Sequence, residues 1–568
     1  MSLSGTIQLA ANSLLAQQIG LQVIGNNIAN AATPGYLRQQ VDYVPAPTQE
    51  RGSLRLGLGV RVQGITSQVN QFVQDRLRRA TSELEAAVPQ EAAYIGLEGI
   101  IGELGDKDLS TALNRFFGSL NDILAEPGNS GVRTMAVSQA QVVTDELNRL
   151  DRLVRQQHAD VNEEIVSLTS EFNNYIAEIA ELNLKIVQLE GGGTIASDAV
   201  GLRDQREAAL SKLSEIIDIQ AVEDKTGSVS VFAGGDFLVM KGQHREVKTV
   251  FTQKDRLTEA SIHIVQTESE VQHTSGKLAG LLAARDEVLN GFLQKLDDFT
   301  LTLIQEFNRR YSSGLGVIGH SQLTAEVAVE DPEEVLDEVG LPFTPQSGLF
   351  QIKVRNLHTG STDTTDIAVD LNGFDDDTSL RQLAEAIDAV PGISANLIAN
   401  FDSTTLQVST DGTHLEFDFA NDTSGVIAAL GLGTFFTGSS AGDAGVRQEL
   451  MDRPETLATS RHDFGQNTEV AVELAGLLDE PLESGNGSNL TTLYDQLAGG
   501  TIQASAVSRS VTDGLRLFQE TIQGEHLAIS GVNLDEEAVQ LITHQRAFQA
   551  SAKLIATVSE LLEILTTI

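Results

Sequence analysis

A heptad pattern between residues 147 and 189 constrains the fold most strongly. Apolar residues recur at every seventh position from Leu147 to Leu189, and a second row runs beside them from Ile165 to Ile186. Two adjacent rows of this kind form one face of a long amphipathic α-helix, and six heptads correspond to a rod on the order of 60 Å long. Such a rod is typical of a helical bundle and not of a compact enzyme core.

Helical and strand-like patterns follow one another along the rest of the chain. Helices are predicted at about 66–88, where Pro89 ends the helix, at Ala199–Ile217, where Asp198 is the cap, and at Gly276–Tyr311. A β-hairpin is predicted at Ser228–Met240, and residues 341–445 are β-rich with one helix near Ser379–Val390. The end of the chain is predicted to be helical. The predicted fold class is mainly α with β insertions, an α+β multidomain chain. It comprises terminal coiled-coil helices, a long antiparallel helical bundle and a β-rich outer domain.

We expect three nested segments. Residues 1–65 with 530–568 form the terminal segment, and residues 66–315 with 455–529 form the bundle, with a small β insert near 219–265. Residues 325–450 form the outer domain.

Composition excludes several functional classes. The formal charge of −41 argues against a protein that binds nucleic acid. The chain has no cysteine and no apolar run long enough to cross a membrane, and its first residues lack the basic segment of a Sec signal. We predict no cofactor and no metal. The acidic run at 326–338 is interpreted as a solvated linker or domain edge and Asp375–Asp377 as a turn, with a cation site as the alternative for both.

The first 37 residues contain no charged side chain. Apolar residues form two neighbouring rows, which predicts an amphipathic helix that ends near Ala31 or Ala32, before Pro34. The last 35 residues carry a similar stripe. Each stripe is too narrow to be stable alone in water, so we expect the two helices to pair. Packing of the first helix on the core of its own domain is the alternative interpretation.

Both terminal sequences resemble a known family. GNNIANAATPGY at Gly25–Tyr36, and the closing sequence that begins SGVNLDEE and continues to the end of the chain, resemble the paired signatures of the bacterial flagellar rod, hook and hook-associated family. In the middle of the chain, GLRDQREAALSKL, SVSVFAGGDFLVMKG, GKLAGLLAARDEVL and EFNRRYSSG are similar to the hook-associated members that join hook to filament.

The resemblance implies a structural, polymerising protein. In this family the chain ends form a coiled-coil layer, and subunits assemble at the distal end of the hook and are required for filament assembly. The implied assembly residues are Leu3, Ile7, Leu14, Leu21, Ile24 and Ile28 on the N-terminal helix and Leu534, Leu541, Phe548, Ile555, Val558, Leu562 and Leu565 on the C-terminal helix.

The resemblance also implies partners and a location. The partners are other copies in a ring-like layer, the hook protein, the next hook-associated protein and a cytoplasmic export chaperone at the C-terminal region, with no nucleic acid and no membrane insertion. The protein is expected outside the cell, exported without a cleaved Sec signal. Where relatives often carry tyrosine this chain has His544, interpreted as a core group, with a pH-sensitive role as the alternative.

Three other functions compete with this interpretation. A peptidoglycan hydrolase is disfavoured, because the histidines are scattered and no nucleophile motif accompanies them. A secreted coiled-coil adhesin or effector would use the β-rich insert as its binding module. A paralogous hook or distal rod protein would not be expected to carry the 147–189 rod together with the LRDQRE helix.

Overall fold

The computed structural model describes residues 3–33, 35–51, 54–102, 108–190, 199–254, 257–374, 377–465, 467–482, 484–485 and 487–567. The chain divides into two compact units. The first unit comprises Met1–Ala93, Ala159–Glu287 and Ala506–Ile568, and the second comprises Tyr94–His158 and Val288–Ser505. The three-segment division expected from the sequence remains a prediction.

Helices dominate the chain, which confirms the predicted fold class. They are α1 (Leu3–Asn30), α2 (Gln71–Ile101), α3 (Leu109–Ala125), α4 (Ser130–Glu190), α5 (Val200–Ile216), α6 (Lys277–Ala283), α7 (Asn290–Tyr311), α8 (Leu380–Asp388), α9 (Val426–Ala429), α10 (Gln448–Asp452), α11 (Glu469–Gly476), α12 (Leu490–Ser530) and α13 (Leu534–Thr567). A π-helical segment, Ala284–Leu289, joins α6 to α7, and a 3₁₀ turn spans Pro454–Thr456.

The strands form small sheets, and every pairing between strands of the described residues is antiparallel. The strands are β1 (Gln39–Pro45), β2 (Thr48–Arg51), β3 (Leu54–Gly57), β4 (Val60–Ser67), β5 (Gln220–Glu223), β6 (Val229–Ala233), β7 (Asp236–Met240), β8 (Gln243–His244), β9 (Val247–Lys254), β10 (Leu257–Ile264), β11 (Gln322–Thr324), β12 (Gly348–Asn356), β13 (Thr362–Val369), β14 (Ile393–Ala399), β15 (Thr404–Thr410), β16 (Leu415–Ala420), β17 (Phe436–Thr437) and β18 (Gly445–Val446). The sheets are β1-β4, β2-β3, β5-β6-β7-β8, β10-β9, β11-β15-β14, β13-β12-β16 and β17-β18.

The predicted rod is a single helix, α4, of 61 residues. Its second apolar row is fully buried, with Ile165, Phe172, Ile179 and Ile186 each 0% exposed. The C-terminal half of α4 packs with α5 and the strands of the β insert in the core of the first unit. The predicted hairpin is confirmed as β6 and β7. Residue 198, the predicted cap of α5, lies outside the described residues.

Three asparagines on α4 bond to the backbone of the β insert in the same way. Asn183 donates to the carbonyl of Val229 over 2.8 Å and accepts from its N–H over 3.0 Å. Asn173 makes the same pair of bonds with Val247, at 2.8 and 2.9 Å. Asn162 donates to a carbonyl of β10 and accepts from an N–H two residues later. Each amide thus satisfies strand groups that would otherwise be buried without partners.

Two arginines orient these amides, and both belong to sequence segments that carried the family resemblance. Arg206 of LRDQRE donates to Asn183 Oδ1 over 3.0 Å and to a backbone carbonyl. Arg285 of AARDEVL donates to Asn162 Oδ1 over 3.1 Å. Because a guanidinium only donates, it fixes which amide atom is the acceptor. These two segments therefore help to attach the β insert to α4.

An aromatic core and a fourth asparagine of this type organise part of the second unit. Phe116, Phe307, Phe435 and Phe436 lie in mutual ring contact. Asn308 accepts from the N–H groups of both Phe435 and Phe436 and donates to the carbonyl of Phe436. The predicted helix near Ser379–Val390 is α8, and Ser379 begins it with a complete capping box.

Cross-strand charges line one face of β12 and β16 in the same unit. Lys353 lies opposite Asp418, and Arg355 lies opposite Glu416, with which it forms an ion pair. His320 covers this face: its Nδ1 lies 2.8 Å from a Glu449 carboxylate oxygen and its Nε2 lies 3.9 Å from Asp418 Oδ1. Several charges are therefore enclosed together.

This enclosure shifts two pKa values. Burial raises the pKa of Asp418 to about 6, with His320 acting in the opposite direction. Burial also disfavours the charged form of His320, but Asp418 and Glu449 outweigh that effect and raise the pKa of the imidazole. Both groups therefore hold a proton more tightly in the folded chain than in the unfolded chain.

One local prediction was wrong, and the structure adds detail to three others. Helix α2 does not end at Pro89 but continues to Ile101, because apolar positions on its buried side persist beyond the proline. The predicted helix at Gly276–Tyr311 is interrupted by the π-helical segment. In the acidic run, Glu326 pairs with Arg447 and Glu333 with Arg381, so some of its charges have basic partners. Asp377 accepts from two backbone N–H groups of a turn, and residues 375–376 lie outside the described residues.

Candidate assembly site at the paired chain ends

Helices α1 and α13 pack against each other in antiparallel orientation. The amide of Asn27 donates to Glu537 over 3.1 Å, while Ser13, fourteen residues earlier, bonds to Ser551, fourteen residues later, over 3.0 Å. Equal and opposite steps along the two helices define one uniform register. The predicted pairing of the terminal stripes is thus present within a single chain.

A polar row lies in the contact between these helices. His544 lies midway between Glu537 and Ser551, and its Nδ1 is 2.6 Å from Gln17 Oε1. Polar contacts therefore recur every seven residues along α13, next to the partly buried Leu541, Phe548 and Ile555. Polar partners in an otherwise apolar contact meet in one register only, so this row specifies how the two helices align.

His544 packs closely on a glycine. A Cβ at Gly20 would lie 2.8 Å from the imidazole and 2.8 Å from the Tyr43 hydroxyl, so only glycine leaves room for both groups. The rings of Tyr43 and His544 stack with centroids 6.4 Å apart. Burial lowers the pKa of His544, which makes it a neutral packing group near pH 7.

Asn27 organises the corner where α1 leads into β1. Its side chain is 1% exposed, donates to the carbonyl of Gln39 over 2.9 Å and accepts from the Gln39 N–H over 3.0 Å. The hydroxyl of Tyr36 donates to the same Asn27 oxygen over 2.9 Å. The GNNIANAATPGY segment therefore folds back on its own helix through one asparagine.

Charged groups complete the corner from the other end of the chain. Arg38 donates to Glu537 over 2.8 Å and to Glu536 over 2.7 Å, and its backbone N–H donates to the carbonyl of Ser530. Glu537 is 1% exposed. A buried carboxylate with both an arginine and an amide donor is well compensated, and removal of Arg38 would leave its charge uncompensated.

Helix α5 contributes to the same corner through Asp204 of the LRDQRE segment. The hydroxyl of Ser67 donates to Asp204 over 3.0 Å, and burial raises the pKa of this carboxyl to about 6. Burial, followed by the charges of Asp204 and Glu537, raises the pKa of Tyr36 to about 12. Tyr36 therefore remains a neutral hydrogen-bond donor at physiological pH.

The first unit contains a cleft between α2, α5 and strands β4, β5 and β6. Its volume is about 810 Å³, and charged side chains that line it pair with one another, such as Arg203 with Glu223 and Arg78 with Glu207. Among the described residues, no group of three or more His, Cys, Asp or Glu side chains could hold a metal. Within the same residues, no helix is both long enough and apolar enough to cross a membrane.

Three family models match the chain. The helical domain of flagellar hook-associated protein FlgK matches residues 95–323, the flagella basal body rod protein matches 7–36, and the C-terminal model of the flagellar basal body rod FlgEFG proteins matches 523–568. Flagellar hook-associated protein 1 of Escherichia coli (strain K12) is 24% identical over 587 residues, covering 100% of both chains. The protein of the same name from Bacillus subtilis (strain 168) is 24% identical over 343 residues, covering 54% of this chain and 67% of its own length.

The chain belongs to the FlgK family. The two rod-protein models coincide with α1 and with α13 plus the end of α12, so the paired chain ends are the part that this FlgK-family chain shares with other flagellar rod proteins. A solved structure titled as the flagellar hook junction protein FlgK from Burkholderia pseudomallei has the same fold. It gives a TM-score of 0.50 at 14% identity and covers 80% of this chain and 100% of its own.

The predicted assembly residues of this FlgK-family chain differ in burial. Ile24 and Val558 are buried, at 3% and 5% exposure. The partly buried residues are Ile7, Leu14, Leu21, Leu541, Phe548 and Ile555, and the exposed ones are Ile28, Leu534 and Leu562. The side chains of Leu3 and Leu565 lie outside the described part of the chain. Most of the predicted residues on α13 thus lie in or beside the contact with α1.

A second apolar face of α13 remains uncovered within the FlgK-family chain. Its members are Val539, Ile542, Leu554, Leu561 and Ile564, which are between 38% and 65% exposed. Helical periodicity places them away from the side that contacts α1. These residues were missed by the sequence analysis, because their spacing departs from a strict seven-residue row.

Sequence reasoning also missed the polar members of the site in this FlgK-family chain. Asn27, Tyr36, Arg38 and Glu537 meet only when both chain ends are folded, so no local pattern identifies them. One signal was available: the segments that contain Asn27, Tyr36 and Glu537 are those that carried the family resemblance at the two ends.

Proposed function

We propose that this chain is a structural component of the bacterial flagellum that polymerises at the distal end of the hook and joins the hook to the filament. Its FlgK-family membership and full-length similarity to hook-associated proteins support this role. In the structure, the main support for the proposal is that the chain ends pair and still leave a second apolar face of α13 uncovered.

The uncovered face explains why assembly is favourable. A helix that packs on one partner needs one apolar stripe, but α13 has a stripe on α1 and another that is exposed to water. Burial of apolar area provides about 25 cal/mol per Å², so repeated copies gain free energy by covering this second stripe. We infer that the uncovered face and the predicted terminal residues together form the contacts between copies. Those residues are Leu3, Ile7, Leu14, Leu21, Ile24 and Ile28 on α1 and Leu534, Leu541, Phe548, Ile555, Val558, Leu562 and Leu565 on α13.

Further partners belong to the same proposal. We infer contacts with the hook protein on one side of a ring-like layer and with the next hook-associated protein on the other, and a cytoplasmic export chaperone at the C-terminal region. The exposed apolar stripe of α13 gives a chaperone a surface to cover before assembly. The proposed location is the external flagellum, reached without a cleaved Sec signal. No catalytic role is proposed, because the family is structural.

Deletion of the gene in the source bacterium tests the proposal. Cells should retain hooks, lack filaments and release flagellin into the medium, and expression of the wild-type chain should restore filaments. Electron microscopy of cell bodies and immunoblots of the medium provide the measurements. Filaments of normal number and attachment on the deletion strain would rule the proposal out.

A further inference from the structure

Two histidines in neighbouring turns of the second unit lie face to face. The ring centroids of His358 and His414 are 5.4 Å apart and their planes differ by 9°. His358 is exposed and His414 is partly exposed. Within the described part of the chain, neither imidazole takes part in a hydrogen bond or an ion pair. The ring nitrogens are therefore available to a ligand.

Hydrogen bonds fix the backbone of both turns. His358 lies in the β12–β13 turn, where the side chain of Asn356 accepts from the N–H groups of His358 and Thr359 over 2.9 and 3.2 Å. The two turns are joined directly, because the N–H of Leu357 donates to the carbonyl of His414 over 2.8 Å. The two imidazoles are thus held near each other by main-chain geometry and not by chance contact of long side chains.

A glycine beneath the second ring contributes to this arrangement. A Cβ at Gly412 would lie 2.8 Å from His414 Cε1 and 3.0 Å from Nδ1. Glycine therefore allows the ring to lie close over its own turn. The opposite edge of the ring, which carries Nε2, is farther from that position, at 3.8 Å.

We propose that His358 and His414 form a binding site for one divalent transition-metal ion of the Zn²⁺, Ni²⁺ and Cu²⁺ class, with water in the remaining positions. With metal–nitrogen bonds of about 2.0 Å, two imidazoles on one tetrahedral ion have ring centres about 5 Å apart. The observed 5.4 Å is close to that separation. Rotation about the Cβ–Cγ bonds, a torsion with a broad energy minimum, turns the nitrogens toward one point with little movement of the ring centres.

The ligand chemistry sets the class of metal and the strength of binding. Imidazole nitrogen suits Zn²⁺, Ni²⁺ and Cu²⁺, whereas Mg²⁺ and Ca²⁺ prefer oxygen ligands. No third His, Cys, Asp or Glu completes the site among the described residues. Two histidines that bind together are expected to hold the ion on the order of a hundredfold more tightly than one.

Nickel titration of the untagged full chain tests this site. Isothermal titration with Ni²⁺ at about pH 7.5 should show one site per chain, and its affinity should fall as the pH is lowered because protons compete with metal for imidazole nitrogen. His358→Asn and His414→Asn should each weaken binding on the order of a hundredfold. The double variant should bind no more weakly than either single variant, because a chelate is lost when one ligand is removed.

His462→Asn is the matched control, since it removes an exposed histidine elsewhere in the same unit. Its affinity for Ni²⁺ should equal that of the wild type. Circular dichroism and the thermal unfolding midpoint establish that all variants are folded. The inference is wrong if the wild type shows no such site, if His358→Asn binds as well as the wild type, or if His462→Asn loses as much affinity as the paired variants.

Discussion

Ile542→Asp separates assembly from the folding of the single chain. Ile542 is 49% exposed and lies on the uncovered face of α13, whereas its neighbour Leu541 is partly buried on the side of α1. Full burial of an isoleucine contributes about 1.5–3 kcal/mol, so the half-buried side chain costs the monomer about 1 kcal/mol when replaced. The α1–α13 contact retains all of its polar and apolar members.

The same replacement has a much larger effect on assembly. A neighbouring copy that covers Ile542 gains about 1 kcal/mol from the remaining apolar area, and this gain is lost in the variant. Burial of the new carboxylate without a partner costs several kcal/mol more. A total of about 4 kcal/mol corresponds to roughly a thousandfold in the association constant at each contact, and the loss recurs in every copy of the layer.

Two assays and two control variants are needed. Filament number by electron microscopy and swimming in soft agar report assembly, and limited proteolysis of the purified monomer reports pairing of the chain ends. Gln545→Asp adds the same charge at an exposed polar position away from the apolar face and should support normal filaments. Val558→Asp places the charge at a buried position and should expose the chain ends to protease in the monomer itself.

Two results would refute this reasoning. Wild-type filaments on cells that express Ile542→Asp would show that the exposed stripe is not covered in the assembly. Protease sensitivity of Ile542→Asp equal to that of Val558→Asp would show that the stripe contributes to the monomer instead.

Further predictions concern the supporting structure. Asn183→Leu should destabilise the first unit by about 2–6 kcal/mol, because it leaves the N–H and the carbonyl of Val229 buried without hydrogen bonds. Asn183→Asp should destabilise it less, and hydrogen exchange of the β6 amides measures both effects. Burial raises the pKa of Asp418 from 3.8 to about 6 in the folded chain, so the stability of the wild type falls as pH rises from about 4 to 6. Asp418→Asn lacks this ionisation and should gain stability relative to the wild type over the same pH range in denaturant titrations. Gly20→Val should clash with His544 and loosen the chain ends to protease, whereas Gly25→Ala, with nothing within 4 Å, should not.

The sequence was sufficient to predict most helices, because their apolar faces repeat over many turns. The row from Ile165 to Ile186 is buried throughout, as its period required. The continuation of α2 past Pro89 and the π-helical segment were not predictable in the same way. Both depend on tertiary packing that outweighs the local conformational preference of the sequence, and apolar periodicity does not report tertiary packing.

The candidate site was predictable only in part, for a different physical reason. Leu541, Phe548 and Ile555 were identified because an apolar row marks a helix face. The polar row that sets the register, Glu537, His544 and Ser551, has the same composition as a solvated face, and only its partners on α1 distinguish the two. Such contacts have sequence separations of more than 500 residues, so local patterns carry no information about them.

The distribution of charge connects the two ends with assembly. The chain carries a net charge of −41, yet no charged residue precedes Arg38. Arg38 itself is compensated by Glu536 and Glu537, so the N-terminal half of the paired ends adds almost no net charge. When copies crowd around a common axis, repulsion between like charges grows with each added subunit unless the inner surface is neutral. We therefore infer that a neutral α1, paired in fixed register with α13, lets apolar burial on the second face of α13 determine the free energy of assembly, and that the acidic remainder of the chain favours solubility of the unassembled subunit.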